Sequence, residues 1–297
     1  MPAPEIMLPV TDYDLAATLN SGQVFRWRPI GNSWHGVVGR HHVFLTQTPA
    51  GIHATAAGQV ENWDWLCRFL QTEVDLPAVL KTFPDDEPMR QAIAACRGLR
   101  LLRQDPWECL ASFILSSTKQ IVQIRQIVSH LCARFGEPCA GAKRLPNGGS
   151  KGPLPAAHVF PSATAIATAT EAVLRDCKMG FRAPSLLAAA RQIADGAFDL
   201  EKIGGLDYAA ARAELMKLRG VGGKIADCVL LFAYGFDGAF PVDVWVERAL
   251  QELYFTRRHA NAKRLRQFAA AHFGPHAGFA QQYLFHYMRT RKAQFAS

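Results

Sequence analysis

No two cysteines of this chain are spaced as C-x-x-C, and none follows Cys228. The seven present (Cys67, Cys96, Cys109, Cys132, Cys139, Cys177, Cys228) are odd in number and scattered. Neither a disulfide framework nor a zinc site is indicated, and a reducing compartment is expected. Long apolar runs are also missing, which excludes a bilayer-spanning helix. The opening Met1-Pro2-Ala3-Pro4-Glu5 lacks the basic start of a secretory signal. A soluble, intracellular protein with no membrane partner is expected, at the nucleoid or in the cytoplasm of a bacterium, or in a nucleus. Acidic residues are in deficit: 33 Lys and Arg against 25 Asp and Glu give a formal net charge of +8. That balance favours a polyanionic partner, although charge alone is weak support. With 297 residues, 49% of them hydrophobic, the chain suffices for one large domain or two ordinary ones.

Short β-rich runs come first: Gln23–Trp27, Trp34–Val38, His42–Thr46 and Ile52–Thr55 alternate with turn residues, predicting an antiparallel meander. From Glu61 the spacing turns helical, with Trp65, Phe69 and Leu70 on one stripe and a further start at Asp86 and Pro88. A boundary near Cys96 to Leu99 divides an N-terminal sheet domain with flanking helices (1–97) from a helical domain (98–297). Asp105-Pro106-Trp107-Glu108 has the form of a capping box with proline at the first helical position. Ser117-Thr118-Lys119-Gln120 repeats the pattern ahead of Ile121, Ile124, Val128 and Leu131. Residues 139–160 are Gly/Pro-rich and basic, a surface loop by composition.

The most informative spacing lies further on. Predicted helices over Tyr208–Lys217 and Lys224–Tyr234 flank the turn Leu218-Arg219-Gly220-Val221-Gly222-Gly223, forming a helix-hairpin-helix whose turn amides can cradle a phosphate. Lys224 opens the second helix, and Asp243 follows 19 residues later (243 − 224) behind Phe240-Pro241-Val242. A partly desolvated lysine at a helix N-terminus can act as a nucleophile, and a nearby carboxylate can stabilise a cationic sugar. Asp243 also suits the N-cap of the helix that starts at Val244, and capping is compatible with catalysis.

These residues resemble the helix-hairpin-helix DNA glycosylase superfamily. Lysine at this place marks its bifunctional members, in which the amine displaces the base. Further segments resemble the 8-oxoguanine DNA glycosylases of eukaryotes and some bacteria: Ser21-Gly22-Gln23-Val24-Phe25-Arg26-Trp27, Asp105 to Ile114 followed by Ser116-Ser117, Met179-Gly180-Phe181-Arg182-Ala183, and Phe273 to Gln281 with Phe285 one turn on. The resemblance spans about residues 15 to 287. It implies an α+β fold, a TBP-like antiparallel sheet domain beside an all-α glycosylase domain with DNA between them, and a monomer acting on double-stranded DNA that contains 8-oxoguanine. It further implies that Lys224 attacks the sugar with Asp243 beside it and that the Schiff base undergoes β-elimination. Cys228 and Phe285 would sandwich the flipped base, Gln281 would read its pairing edge, and Gly22 would offer a carbonyl to the hydrogen that oxidised guanine carries on N7. Phe181 would wedge into the vacated stack beside Arg182. Thr118, Lys119, Gln120, Gly220, Gly222, Gly223 and Trp245 fall on the implied DNA face. No cofactor is required, the iron–sulfur cluster of some relatives has no cysteines to hold it, and the hairpin carbonyls can hold a cation.

The chain departs from the eukaryotic pattern where the cytosine opposite the lesion is read. Thr118-Lys119-Gln120 replaces a run of asparagines, Gln123 replaces the first arginine, and only Arg182 keeps the second. A weaker cytosine preference is expected. Trp245 stands where those enzymes often have histidine. Competing readings are a glycosylase for another lesion, disfavoured by Gly22, Cys228, Gln281 and Phe285, and a non-catalytic hairpin DNA-binding protein, which needs neither Lys224 nor Asp243. A protein-interaction scaffold rests only on the abundance of helices.

Overall fold

A computed structural model describes residues 3–140, 157–256 and 260–295. Most of the expected basic loop, residues 141–156, lies outside them. Strands β1 (Glu5–Leu8), β2 (Arg28–Ile30), β3 (Ser33–Val38), β4 (His41–Thr48) and β5 (Gly51–Ala56) form one antiparallel sheet in the order β1-β5-β4-β3-β2. Around it and after it the chain is helical: α1 (Leu15–Asn20), α2 (Asp64–Leu70), α3 (Leu76–Leu80), α4 (Glu87–Ala95), α5 (Pro106–Leu115), α6 (Ile121–Phe135), α7 (Ala163–Ala167), α8 (Glu171–Asp176), α9 (Ala183–Ala194), α10 (Leu200–Ile203), α11 (Tyr208–Leu215), α12 (Gly223–Val229), α13 (Val244–Tyr254), α14 (Ala262–His272) and α15 (Ala277–Phe295). The fold is α+β, as the sequence predicts. Among the described residues no helix is long and apolar enough to cross a membrane.

The sheet buries its two faces differently. Val43 and Leu45 of β4 point into a core shared with Leu19, Trp27, Ile52, Leu66 and Leu70. Successive side chains of a strand face opposite ways, so His42 and Phe44 look to the other side. Register pairs His35 with Phe44 and Val37 with His42, placing all four on that second face. A second, larger core gathers the remaining helices, with Leu110, Leu186, Val229 and Leu284 fully buried. Val79, Met89, Ala92 and Cys96 of the segment preceding residue 97 pack into this helical core.

Two expectations about strands change. Gln23–Trp27 is not a strand: the ladder begins at Arg28. Its alternation arises because the segment threads between both cores, with Val24 and Trp27 in the sheet core and Phe25 in the helical one. Gln23 supplies the hydrogen bonds that a ladder would have given, donating to Arg100 O (2.8 Å) and accepting from Leu102 N (2.8 Å). β1, short and at the sheet edge, carried no periodic signal strong enough to be read.

Helix starts follow the capping logic with one shift. Asp105 accepts from Glu108 N at 2.8 Å, but Glu108 does not close the box; its carboxylate pairs with Arg26 at 3.0 Å, joining the threading segment to α5. Before α6 the N-cap is Gln120 rather than Ser117, because Thr118 adopts φ +56 and breaks the earlier start. Gln123 Oε1 accepts from Gln120 N at 3.2 Å, which occupies that side chain in capping.

Candidate active site

The hairpin forms as predicted between α11 and α12. Val221 N donates to Leu218 O (3.1 Å) to close the turn, and Ala226 N donates to Gly222 O (3.0 Å) to begin the helix. Gly220 has φ +82 with Ser185 packed where a Cβ would stand, so only glycine serves there. Asp227 accepts from Arg212 Nε (2.7 Å) and Tyr208 OH (2.8 Å), locking α11 to α12. The second helix was expected to run to Tyr234; it changes at Leu230–Tyr234 into a π-helical turn ended by Gly235. The wider turn loosens backbone pairing, and Arg103 and Gln104 take up the slack by donating to Leu231 O (3.2 Å) and Phe232 O (2.8 Å).

Lys224, Cys228, Asp243, Gln281, Phe285 and Gly22 line one cavity, together with Phe113, Phe232, Pro241 and Gln282. Six residues from four separate stretches of sequence therefore meet in one place. The volume is only about 40 Å³, far below the roughly 300 Å³ of a small-molecule pocket, so a purine enters only if the walls part.

Lys224 is half-buried. Its Nζ donates to Ser116 Oγ at 3.3 Å and sits 5.0 Å from the Phe113 ring centroid. Ser116 Oγ donates to Phe113 O at 2.7 Å, which leaves its lone pairs for the lysine. Asp243 caps α13, one carboxylate oxygen accepting from Val246 N (2.8 Å) and Trp245 N (3.0 Å). Burial raises the Asp243 carboxyl, while the Val246 amide and the Lys224 charge pull it back. Burial also pushes the Cys228 thiol up to about 12, so it meets the cavity as a neutral, polarisable wall.

Gly22 has φ +82, and an added Cβ would stand 2.7 Å from Ile121 Cδ1 and 3.3 Å from Phe285 Cε1. Its neighbours are fixed by glutamines: Gln282 donates to Ser21 O (2.9 Å) and Gln104 to Gln23 O (2.8 Å). The Gly22 carbonyl between them takes no hydrogen bond among the described residues. Buried Gln281 likewise leaves Oε1 without a partner, and a buried acceptor left open at a cavity invites a donor from a ligand. Phe285 lies under the Arg289 guanidinium (5.3 Å), which in turn donates to Asn20 O (3.4 Å).

The implied DNA-face residues fall in three places. Phe181, on the 3₁₀ turn Gly180–Arg182, is 62% exposed. Arg182, implied as the remaining arginine reader of the opposite cytosine, is buried beside it, donating to Met179 O (3.2 Å), Ser117 O and Thr118 Oγ1 (2.5 Å). Thr118 and Gln120 are exposed and Lys119 half-buried. At the hairpin, Gly220 and Gly222 are exposed and Gly223 is half-buried beneath Arg212. Trp245 is half-buried under Arg248 at 5.6 Å.

Sequence reasoning missed Ser116 as the lysine's acceptor, Phe232 as wall and Gln282 as a clamp on the Ser21 carbonyl. Gln281-Gln282 is a polar pair at the apolar start of α15, the one signal that pointed to Gln282. Among the described residues no group of three or more His, Cys, Asp or Glu could hold a metal ion.

Comparison with known proteins agrees with this geometry. Residues 5–110 match the 8-oxoguanine DNA glycosylase N-terminal domain, and residues 111–274 match the HhH-GPD superfamily of base excision DNA repair proteins. The chain is 32% identical over 265 residues to the N-glycosylase/DNA lyase of Saccharomyces cerevisiae, covering 81% of this chain and 68% of that protein. It is 30% identical over 297 residues to an N-glycosylase/DNA lyase of Arabidopsis thaliana, covering 93% and 77%. The Clostridium acetobutylicum 8-oxoguanine glycosylase/lyase, solved with duplex DNA containing cytosine opposite the lesion, superimposes with a TM-score of 0.85 at 30% identity over 94% of this chain and 93% of that one. The chain thus belongs to the 8-oxoguanine DNA glycosylase family of the HhH-GPD superfamily, as an N-glycosylase/DNA lyase of base excision repair.

Proposed function

We propose that this protein, acting as a monomer inside the cell, flips 8-oxoguanine out of duplex DNA and excises it with Lys224 as nucleophile. The carrying observation is the meeting of Lys224, Asp243, Gly22 and Gln281 in one cavity with two open acceptors. Extrusion costs a few kcal/mol of stacking and pairing. Exposed Phe181 fills the vacated space, and the Phe285 ring swings off Gly22 so that the purine slides between it and Cys228. The lesion's N7–H then donates to Gly22 O, which guanine, an acceptor at N7, cannot do. Gln281 pairs with the base edge.

Lys224 Nζ forms a bond to C1′ through its lone pair as the C1′–N9 bond breaks and its electron pair leaves on the base, and the proton that the new C1′–nitrogen bond forces off the amine passes to that base. Asp243, whose carboxylate the α13 amides and Lys224 favour against the opposing effect of burial, stabilises the cationic sugar as the anion. After ring opening the Schiff base loses a proton from C2′, and the C3′–oxygen bond breaks to cut the strand. No cofactor enters these steps. A cation held by the hairpin carbonyls would supply positive charge to a DNA phosphate.

Discrimination of the opposite base is relaxed in this reading. Gln123 is spent on capping α6, and Arg182 is turned in against Ser117 and Thr118. One missing bidentate reader is worth about 1–3 kcal/mol. Cleavage of the lesion opposite each of the four bases tests this, and a cytosine preference above about a thousandfold overturns it.

Borohydride trapping on a duplex with 8-oxoguanine opposite cytosine tests the main reading. A covalent adduct formed by the native chain and absent from Lys224→Gln is expected. Released base without an adduct would remove Lys224 as nucleophile; neither base nor adduct would return the hairpin to a mere phosphate clamp.

A further inference from the structure

A second cavity, of about 180 Å³, lies between the outer sheet face and α6, lined by Arg26, Arg28, His35, His42, Arg125 and His158 among others, with no carboxylate among the described residues of its wall. Three arginines and three histidines without an acid is an unusual lining, because cations crowd together only at a cost unless an anion joins them. Arg26 is compensated by Glu108 at 3.0 Å. Arg28 and Arg125 pair with no acid among the described residues. Arg125 donates one Nη2 hydrogen bond to Asn20 Oδ1 (2.8 Å), and its buried Nε has no partner. His42, 1% exposed, shares a 3.3 Å contact through Nε2 with His35 Nδ1, and its own Nδ1 is buried and unpartnered.

Burial and the neighbouring cations both disfavour the charged forms of these groups. His42 is pushed down to about 4 by burial, then by His35 and Arg26. His35 is lowered by burial and Arg28, and Arg125 by burial and Arg28. An opposite charge placed among them would oppose each of these shifts.

We propose that this cavity is a phosphate-binding site, built by the open Nε–H of Arg125 and by the unpartnered Nδ1 of His42, which donates in the tautomer whose Nε2 accepts from His35, with Arg28 at its rim. It is smaller than the roughly 300–1,000 Å³ pockets that hold whole small molecules, which suits a single phosphate group with its waters. The phosphate can come from the DNA backbone or from a free phosphate ester. Geometry favours the backbone: Arg125 grips Asn20, two residues from Gly22, and Phe25 of this cavity packs edge-on against Phe113 of the lesion pocket at 5.8 Å. The site would thus hold the strand beside the base-flipping pocket. It stands whether or not the lesion chemistry is as given above.

The test follows the histidine ring nitrogens by NMR during a titration of the full chain with inorganic phosphate, with sodium chloride at matched ionic strength as control. Saturable shifts of His35 and His42 with phosphate alone are expected, weakened about tenfold or more in Arg125→Gln, which removes a charge-assisted donor. Arg28→Gln, at an exposed position, supplies a second variant that does not threaten the fold, and the same weakening is expected. Rings that ignore phosphate, or that respond equally to chloride, overturn the proposal. A second titration with an undamaged duplex identifies the source: backbone phosphate if it moves the same rings in competition with inorganic phosphate, a free phosphate ester if it does not. No lesion and no bond cleavage are involved, so failure here is separable from failure of the trapping experiment.

Discussion

Gly22→Ala separates recognition of the base from chemistry at the sugar. At φ +82 an alanine pays about 1 kcal/mol of backbone strain. Its methyl would stand 2.7 Å from Ile121 Cδ1, the far end of a side chain that can shift, and 3.3 Å from the Phe285 ring. Displacing both adds about 1 kcal/mol. A total near 2 kcal/mol lowers Tm by about 4–8 °C, which leaves the protein folded at 25 °C. Inside the lesion pocket the effect is larger. The methyl occupies the space beside the carbonyl that receives N7–H, and misplacing a reacting group by about 1 Å costs on the order of a hundredfold in rate. Single-turnover excision of 8-oxoguanine should therefore fall about a hundredfold. Strand cleavage at a preformed abasic site, where no base needs the pocket, should stay within about threefold. Equal losses on the two substrates, or unchanged excision, would refute the assignment of Gly22 to lesion reading.

Asp243→Asn keeps an oxygen to cap α13 and removes the charge, so Tm should move little while excision collapses; Asp243→Ala should lose both, with about 1 kcal/mol of stability measured by urea denaturation. Burial raises the Asp243 carboxyl above its ordinary 3.8, so the native state gains stability from its protonation at acid pH and loses that contribution as pH rises through the folded value. Activity runs the other way, needing the carboxylate: the acid limb of the pH–rate profile should have its inflection above 3.8 and be absent from the residual activity of Asp243→Asn. Arg26→Ala strands Glu108 in a buried place and should cost about 3 kcal/mol, seen as a Tm loss of several degrees; a change under 1 kcal/mol would show the pair to be inert. Phe181→Ala, at an exposed position, should leave Tm unchanged and slow excision from duplex DNA about tenfold or more, with a smaller effect on a lesion in a mismatched, already unstacked pair.

What could be read from sequence was whatever a local pattern encodes. Gly220 and Gly222 announce a turn, Asp105 and Asp86 announce caps, and Lys224, Cys228 and Asp243 follow at spacings set by one hairpin. Family likeness supplied the distant partners Gly22, Gln281 and Phe285, which composition and periodicity alone leave as filler. Illegible was everything decided by contact across the fold. Gln23–Trp27 alternates like a strand because two cores compete for its side chains. Glu108 abandons its box for Arg26, 82 residues away. Ser116 serves Lys224 only because α5 ends beside α12, and Arg182 turns inward because the Ser117 and Thr118 oxygens wait there.

The threading segment also sets how the protein can fail. Gly22 lies between Leu19 and Val24 of the sheet core and Phe25 of the helical one, whereas Lys224, Ser116 and Asp243 sit on or beside α12, α5 and α13, whose buried apolar side chains all belong to the helical core. A partial opening that melts the sheet while sparing the helices would erase the reader and leave the blade. On the proposed reading such a species would keep strand cleavage at abasic sugars and lose excision of the oxidised base, so the cooperativity that binds the two cores into one unit is what keeps the two steps together.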